Sequence, residues 1–185
     1  MLHATYLIIG GGVAGTSAAE AIRGRDPEAK IVIVSSEPYR LYSRIMLSKP
    51  NFFLGKIPFD CVWLKKDVWY SDKNITLLKG VTALELLPKE KTVKLDNGET
   101  VQYEKLLLAT GGHARPWEVK GADKPGIFCF HGLDHSLALM EALKTAQHAL
   151  VIGSGLVSFE VCDLLRQRGL AVTVVMREKY FGEPL

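Results

Sequence analysis

Residues 6–15 read Tyr6-Leu7-Ile8-Ile9-Gly10-Gly11-Gly12-Val13-Ala14-Gly15. Tyr6 to Ile9 is a short apolar run, the pattern of a strand covered on both faces. Glycines follow at once, and Ala14 to Arg25 is then Ala-rich with its apolar residues on one side, a helix stopped by Asp26-Pro27. Ile31 to Val34 supplies a second buried strand that ends near Ser36-Glu37. The stretch is therefore a β-α-β unit with a Gly10-x-Gly12-x-x-Gly15 turn between strand and helix. The three glycines meet different steric needs. The first allows the tight turn, the second lets the backbone approach a pyrophosphate, and the third lets the helix pack close to the strand. The N–H groups at the helix start, at Val13 and Ala14, then face the phosphates. Glu37, at the end of the second strand, can accept hydrogen bonds from ribose hydroxyls.

The same pattern returns near the C-terminus. Ala149 to Ile152 is a strand, Gly153-Ser154-Gly155 a turn, Leu156 to Arg168 a helix and Val172 to Val175 a strand. Here Ser158 replaces the third glycine, a small residue that still permits close packing. Met176 and Arg177 stand where an acid would favour NAD. Arg177 could instead receive a 2′-phosphate, which would favour NADP, or be a solvated surface arginine, and Glu178 comes one or two residues late. Two dinucleotide units in one chain suggest two dinucleotides, and so electron transfer between a flavin and a nicotinamide.

Between the units, Pro38 to Pro58 is a long aromatic, irregular stretch, and Cys61 to Tyr70 is expected to be a short helix. Ile75–Leu78 and Val81–Leu86 read as strands. Alternation from Thr92 to Leu95, the turn Asp96-Asn97-Gly98 and the return Thr100–Tyr103 read as a hairpin. Leu106-Leu107-Leu108 is another expected buried strand, ending at Ala109-Thr110-Gly111-Gly112. The Pro- and Gly-bearing residues from His113 form a crossover linker, followed by an amphipathic helix over Leu133–Thr145. The expected fold is α/β: a Rossmann-like lobe over 1–112 with a three-layer arrangement, a parallel sheet and a β-hairpin insert; a linker and crossover helix over 113–148; and the start of a second Rossmann lobe over 149–185.

Composition narrows the functional classes. The 185 residues are 48% hydrophobic and 23% charged, values of an ordinary globular chain. Lys plus Arg total 23 against 20 Asp plus Glu, a net charge of +3 with no long basic run, so nucleic-acid binding is not expected. No stretch is long enough to cross a membrane, and none is expected as a partner. Cys61, Cys129 and Cys162 are odd in number and far apart, which disfavours disulfides and a thiolate zinc site and points to the cytoplasm. Cys129 and Cys162 are expected to be small buried packing residues, and Trp63, Trp69 and Trp117 core or interface residues. His131 and His135 have helical spacing but lack a third ligand, so no metal is expected.

The chain resembles the two-dinucleotide-binding flavoprotein reductases of the pyridine nucleotide-disulfide oxidoreductase superfamily. It looks closest to the branch of rubredoxin and ferredoxin reductases, assimilatory nitrite reductase and apoptosis-inducing factor. The resemblance covers nearly all residues. It is carried by Gly10–Gly15 with Glu37, by Tyr42-Ser43-Arg44 through Leu47-Ser48-Lys49, by Tyr103-x-x-Leu106-Leu107-Leu108-Ala109-Thr110-Gly111, and by Gly153-Ser154-Gly155 through Glu160. It implies FAD in the first site, with Glu37 on the adenosine ribose and the Val81 backbone on adenine. Ala109, Thr110 and Gly111 would pass close to the FAD phosphates, and Arg44 and Lys49 would border the pyrophosphate and the flavin ring. It also implies that Glu160 pairs with Lys49 beside the flavin and that NAD or NADP binds at Gly153, Gly155, Ser158 and Arg177.

The implied activity is that of an FAD-dependent NAD(P)H oxidoreductase. Its electrons would go to an acceptor such as a rubredoxin or ferredoxin. The redox cysteines of the disulfide reductases in this superfamily have no counterpart at Leu41-Tyr42-Ser43-Arg44, so thiol–disulfide chemistry is not expected. Members of the family are much longer, so the chain is expected to be a fragment of a longer reductase, one part of a split enzyme, or a shortened FAD-binding protein. A homodimer or a complementary subunit is expected to cover the open surfaces. The rival expectation is a non-catalytic nucleotide-binding module that acts through redox-dependent association.

Overall fold

A computed structural model describes residues 1–182; the last three residues of the expected 149–185 unit lie outside the described residues. In chain order the first elements are β1 (Leu2–Ile9), α1 (Val13–Arg25), β2 (Ile31–Ser35), α2 (Pro50–Phe53), α3 (Asp67–Asp72), β3 (Ile75–Lys79) and β4 (Ala83–Leu87). They are followed by β5 (Thr92–Leu95), β6 (Thr100–Leu108), α4 (Leu133–Ala142), β7 (His148–Ile152), α5 (Leu156–Gln167) and β8 (Ala171–Val175). Short 3-10 turns run over Arg44–Ser48 and Phe59–Val62. The chain divides into two compact units, one of residues 1–42 and 63–112, the other of 43–62 and the residues from His113 onward. This differs from the expected 1–112, 113–148 and 149–185 division, because Ser43–Val62 groups with the later residues. Tyr42 and Trp63 form an antiparallel bridge with their rings edge to face at 6.4 Å, which closes the base of that excursion.

The first unit is a six-stranded sheet in the order β3-β2-β1-β6-β5-β4. β1 pairs in parallel with β2 and with β6, β2 in parallel with β3, and the β4-β5-β6 edge is antiparallel. Alternate residues point to opposite faces. Ile8, Ile31 and Ile33 pack on one face with Ala19 of α1 and Tyr70 of α3. Leu7, Val32 and Val34 pack on the other with Val93, Leu95, Val101 and Tyr103 from the hairpin. Ile31 to Val34 are at most 1% exposed, as their apolar run requires. Burying each such side chain contributes on the order of 1.5–3 kcal/mol.

Three sequence expectations change here. Thr100–Tyr103 and Leu106–Leu108 are one strand, β6, whose first half pairs with β5 while the strand as a whole pairs with β1. Glu104 and Lys105 interrupt the apolar pattern but not the backbone ladder. Leu107 and Leu108 are 39% and 61% exposed, so the end of β6 is not the buried strand its composition suggested. Cys61–Tyr70 is not one helix, since Val62 ends a 3-10 turn, Trp63 lies in the bridge and only Asp67–Asp72 is helical.

The second unit holds the parallel pair β7-β8 with α5 against it. Its strands alternate half-buried and exposed residues, with none fully buried. Leu150, Ile152 and Val175 stand on the open face, each about half exposed or more. The 3-10 turn over Arg44–Ser48 and α2 pack on α5. Cys129 is exposed and Cys162 only half-buried, so neither is the buried packing residue expected; all three cysteines are free. Trp117 is 42% exposed rather than part of the core. His135 Nδ1 accepts the Gly132 N–H at the start of α4, and no metal-binding cluster exists among the described residues. Among them, no helix is long and apolar enough to cross a membrane.

Candidate functional site

In the first unit the glycine turn lies between β1 and α1. Gly10 donates its N–H to the Val34 carbonyl at 2.8 Å, and Ala109 donates its own to Ile9 at 2.8 Å. The chain thus turns between the carboxyl ends of β2 and β6, where open α/β sheets place ligands. Gly10 sits at φ +119°, and a Cβ there would overlap the Ala109 carbonyl. A Cβ on Gly15 would overlap the Gly10 carbonyl, so α1 starts against the turn itself. Buried Thr16 fixes the loop by donating from Oγ1 to the Gly11 carbonyl at 3.2 Å.

Gly12 is different. It is the N-cap residue of α1 in extended backbone, and a Cβ on it would meet nothing within 4 Å. No side chain caps this helix and no acid stands in its first turn, so the amides of Val13 and Ala14 face an open, positively polarised cradle. A pyrophosphate fits that chemistry. The surrounding residues fit the rest of FAD. Glu37 is half-buried just after β2, and its carbonyl accepts the Gly80 N–H at 3.0 Å. Val81 donates its N–H to Ser35 at 3.0 Å, so its carbonyl is the backbone group it can offer to an adenine. Ala109 lines the turn, followed by exposed Thr110 and by Gly111 at φ +67°.

In the second unit the turn between β7 and α5 repeats the design with a looser fit. Gly153 has φ +124° and donates to the Val175 carbonyl at 2.9 Å. A Cβ on it would stand 3.0 Å from Ser158 Oγ, so the serine in the third position fills the space that helix and strand close at Gly15. Gly155 caps α5 without a side-chain cap, and a Cβ on it would meet nothing within 4 Å.

Lys49 and Glu160 form an ion pair within this unit. The 3-10 turn over Arg44–Ser48 carries Ser48 and Lys49 to the flank of α5, where Ser48 Oγ donates to Glu160 Oε2 and Lys49 Nζ to Oε1. The Lys49 and Ser48 hydrogen bonds hold the Glu160 carboxyl below its ordinary range, against a smaller opposing effect of burial. Arg44 is exposed and donates from Nη1 to the His131 carbonyl at 3.4 Å. Arg177 has an 88% exposed side chain that pairs with Glu178 at 3.3 Å.

Sequence reasoning missed Ser48, whose partner lies more than a hundred residues away. It also missed Ser154, whose Oγ donates to Glu178 Oε2 at 2.6 Å and lowers the Glu178 pKa. A polar residue inside each glycine or Ser-Lys motif was the available signal.

A sheet and turns of this kind define a Rossmann-type α/β chain with two glycine turns, each leading from a strand into an uncapped helix. Residues 4–185 match the pyridine nucleotide-disulphide oxidoreductase family, and the chain belongs to it. It is 33% identical to the biphenyl dioxygenase system ferredoxin–NAD(+) reductase component of Paraburkholderia xenovorans over 92% of this chain and 41% of that protein. The crystal structure of NADH:rubredoxin oxidoreductase from Clostridium acetobutylicum superposes with a TM-score of 0.83 at 30% identity, over 94% of this chain and 44% of that one. Putidaredoxin reductase in its covalent complex with putidaredoxin gives 0.83 at 26% identity, over 94% of this chain and 42% of that one. The chain therefore spans less than half the length of these relatives.

Proposed function

We propose that the chain supplies the dinucleotide-binding units of an FAD-dependent NAD(P)H oxidoreductase that passes electrons to a small iron–sulfur protein. The observation that carries the reading is the pair of uncapped helix starts, at Gly12 and Gly155, each with open space where a Cβ would be. The relatives support the acceptor class, since they are named as ferredoxin and rubredoxin reductases. When bound, FAD supplies a hydride acceptor for the nicotinamide and an electron donor for the acceptor protein.

In this reading the chain's own residues bind and orient. Gly10, Gly12 and Gly15 keep the backbone low, and the Val13 and Ala14 amides hold the pyrophosphate. Glu37 accepts from the adenosine ribose, the Val81 carbonyl meets adenine, and Ala109, Thr110 and Gly111 allow close approach to the phosphates. Arg44 adds charge for the pyrophosphate. Lys49, fixed by Glu160, offers a positioned ammonium to the flavin, the role carried over from the resemblance. Gly153, Gly155 and Ser158 take the nicotinamide dinucleotide. The free cysteines are Cys61, Cys129 and Cys162, and none lies in the Leu41–Arg44 stretch where the resemblance would place a redox-active thiol.

The test is the visible spectrum of the purified chain before and after NADH without oxygen. A flavin band that NADH bleaches is the expected result. Extracted cofactor that is nicotinamide alone would sink the proposal.

A further inference from the structure

Beyond the end of β8 stand two rivals for the far end of the nicotinamide dinucleotide, Arg177 and a late Glu178. The geometry separates them. The stretch after β8 folds back at three points, two on Ser154 of the second glycine turn and one on the first turn of α5. Gly182 donates its N–H to the Ser154 carbonyl at 3.0 Å, the Phe181 ring lies edge-on to Phe159 at 5.6 Å, and Glu178 accepts the Ser154 hydroxyl at 2.6 Å. The Glu178 side chain is 14% exposed while that of Arg177 is 88% exposed. The return path brings the glutamate to the turn from a position beyond the strand end, where Met176 occupies the usual place of the acid.

We propose that Glu178, held on the glycine turn by Ser154, sets the nicotinamide dinucleotide preference by accepting the adenosine ribose hydroxyls of NADH and repelling the 2′-phosphate of NADPH. The proposal rests on the reading of this turn as a dinucleotide site. Ser154 donates to Oε2, the backbone amides of Glu178 and Arg177 also favour the ionised carboxylate, and the exposed Arg177 side chain reaches Oε1 at 3.3 Å. A ribose hydroxyl can replace such a contact. A 2′-phosphate carries about −1.5 to −2 charges and would meet a carboxylate that the Ser154 hydrogen bond keeps ionised.

The experiment is a titration of the full 185-residue chain with NADH and with NADPH, followed by nicotinamide fluorescence, with circular dichroism to show that each variant folds. NADH is expected to bind at least about tenfold tighter than NADPH. Glu178→Gln preserves shape and an acceptor for Ser154, and is expected to shrink that ratio by about tenfold, mainly by improving NADPH. Ser154→Ala is expected to shrink it less and in the same direction. Equal affinities, tighter NADPH, or a ratio that Arg177→Ala rather than Glu178→Gln collapses would overturn the proposal and leave the dinucleotide site standing. Binding of neither nucleotide would overturn both.

Discussion

Gly10 and Gly12 stand two residues apart and answer to different constraints. Gly10 is needed by the fold, since its φ of +119° and the Ala109 carbonyl both exclude a side chain. Gly12 lies in ordinary extended backbone with open space beside it, so the fold itself makes little demand there. Gly12→Ala is therefore expected to keep the chain folded, at a cost below about 1 kcal/mol for the altered cap, and to lose flavin, read as absorbance per mole of protein. Gly10→Ala is expected to lose both. If Gly12→Ala retained flavin, the cradle would be misassigned.

The Glu160 carboxyl carries a pH signature. Its folded pKa lies below the ordinary 4.5, so its contribution is fully present above that value and is lost as pH falls through the folded one. Glu160→Gln is expected to flatten the decline in urea midpoint between neutral pH and about pH 3; an unchanged slope would mean that the pair adds nothing to stability. These residues were unequally legible. The glycines announce themselves because a strand and a helix flank them at fixed spacing. The Lys49–Glu160 pair was visible only through the family resemblance, and Ser48 not at all, because a partner across the fold leaves no periodic trace.

Among the elements, α1 and its exit show how a single side chain secures a corner. Arg23 donates to the carbonyls of Lys73, Asp26, Pro27, Ala29 and Asn74 at 2.5–3.1 Å, tying the end of α1 to the start of β2 and to the loop before β3. Several charge-assisted bonds to backbone acceptors are lost together in Arg23→Ala, so a destabilisation of about 2 kcal/mol is expected in urea unfolding. Arg23→Lys should recover little, because an ammonium cannot span the same fork. A loss within experimental error would show that solvent replaces the whole set.

Element type was readable wherever period and length agreed, as in β1, α1, β2 and α5. It failed where side-chain pattern and backbone ladder diverge. Glu104 and Lys105 look like a break, yet β6 runs through them because its pairing partners are backbone groups. The extended Tyr42–Trp63 bridge was hidden for the same reason.

Taken over the whole molecule, the two units differ in how completely they are covered. The first buries both faces of β1 and β2 in hydrophobic clusters, while the β7-β8 pair leaves Leu150, Ile152 and Val175 open. Open surfaces were expected there, but the sequence could not say which residues form them, since apolar residues stand on both faces of β7 and β8. The first unit is also knit from distant ends of its chain, with Leu2 paired to Val101 and Ile9 to Leu108. A chain cut after Asp96 is expected to show little β-structure by circular dichroism, because β1 would lose one of its two neighbours and β5 its hairpin partner. A cooperative thermal transition in that truncated chain would contradict it.

The pairing of β1 with β6 also dates the assembly of the cradle. Ile9 waits for the Ala109 amide, so the first glycine turn stays without its neighbouring wall until the ribosome has released residues through at least Gly111. Local hairpins form far faster than such long-range parallel pairs close. The β5-β6 hairpin would then present an ordered edge to a waiting β1. The motif that comes first along this unit is in this sense the last part of it to become a site.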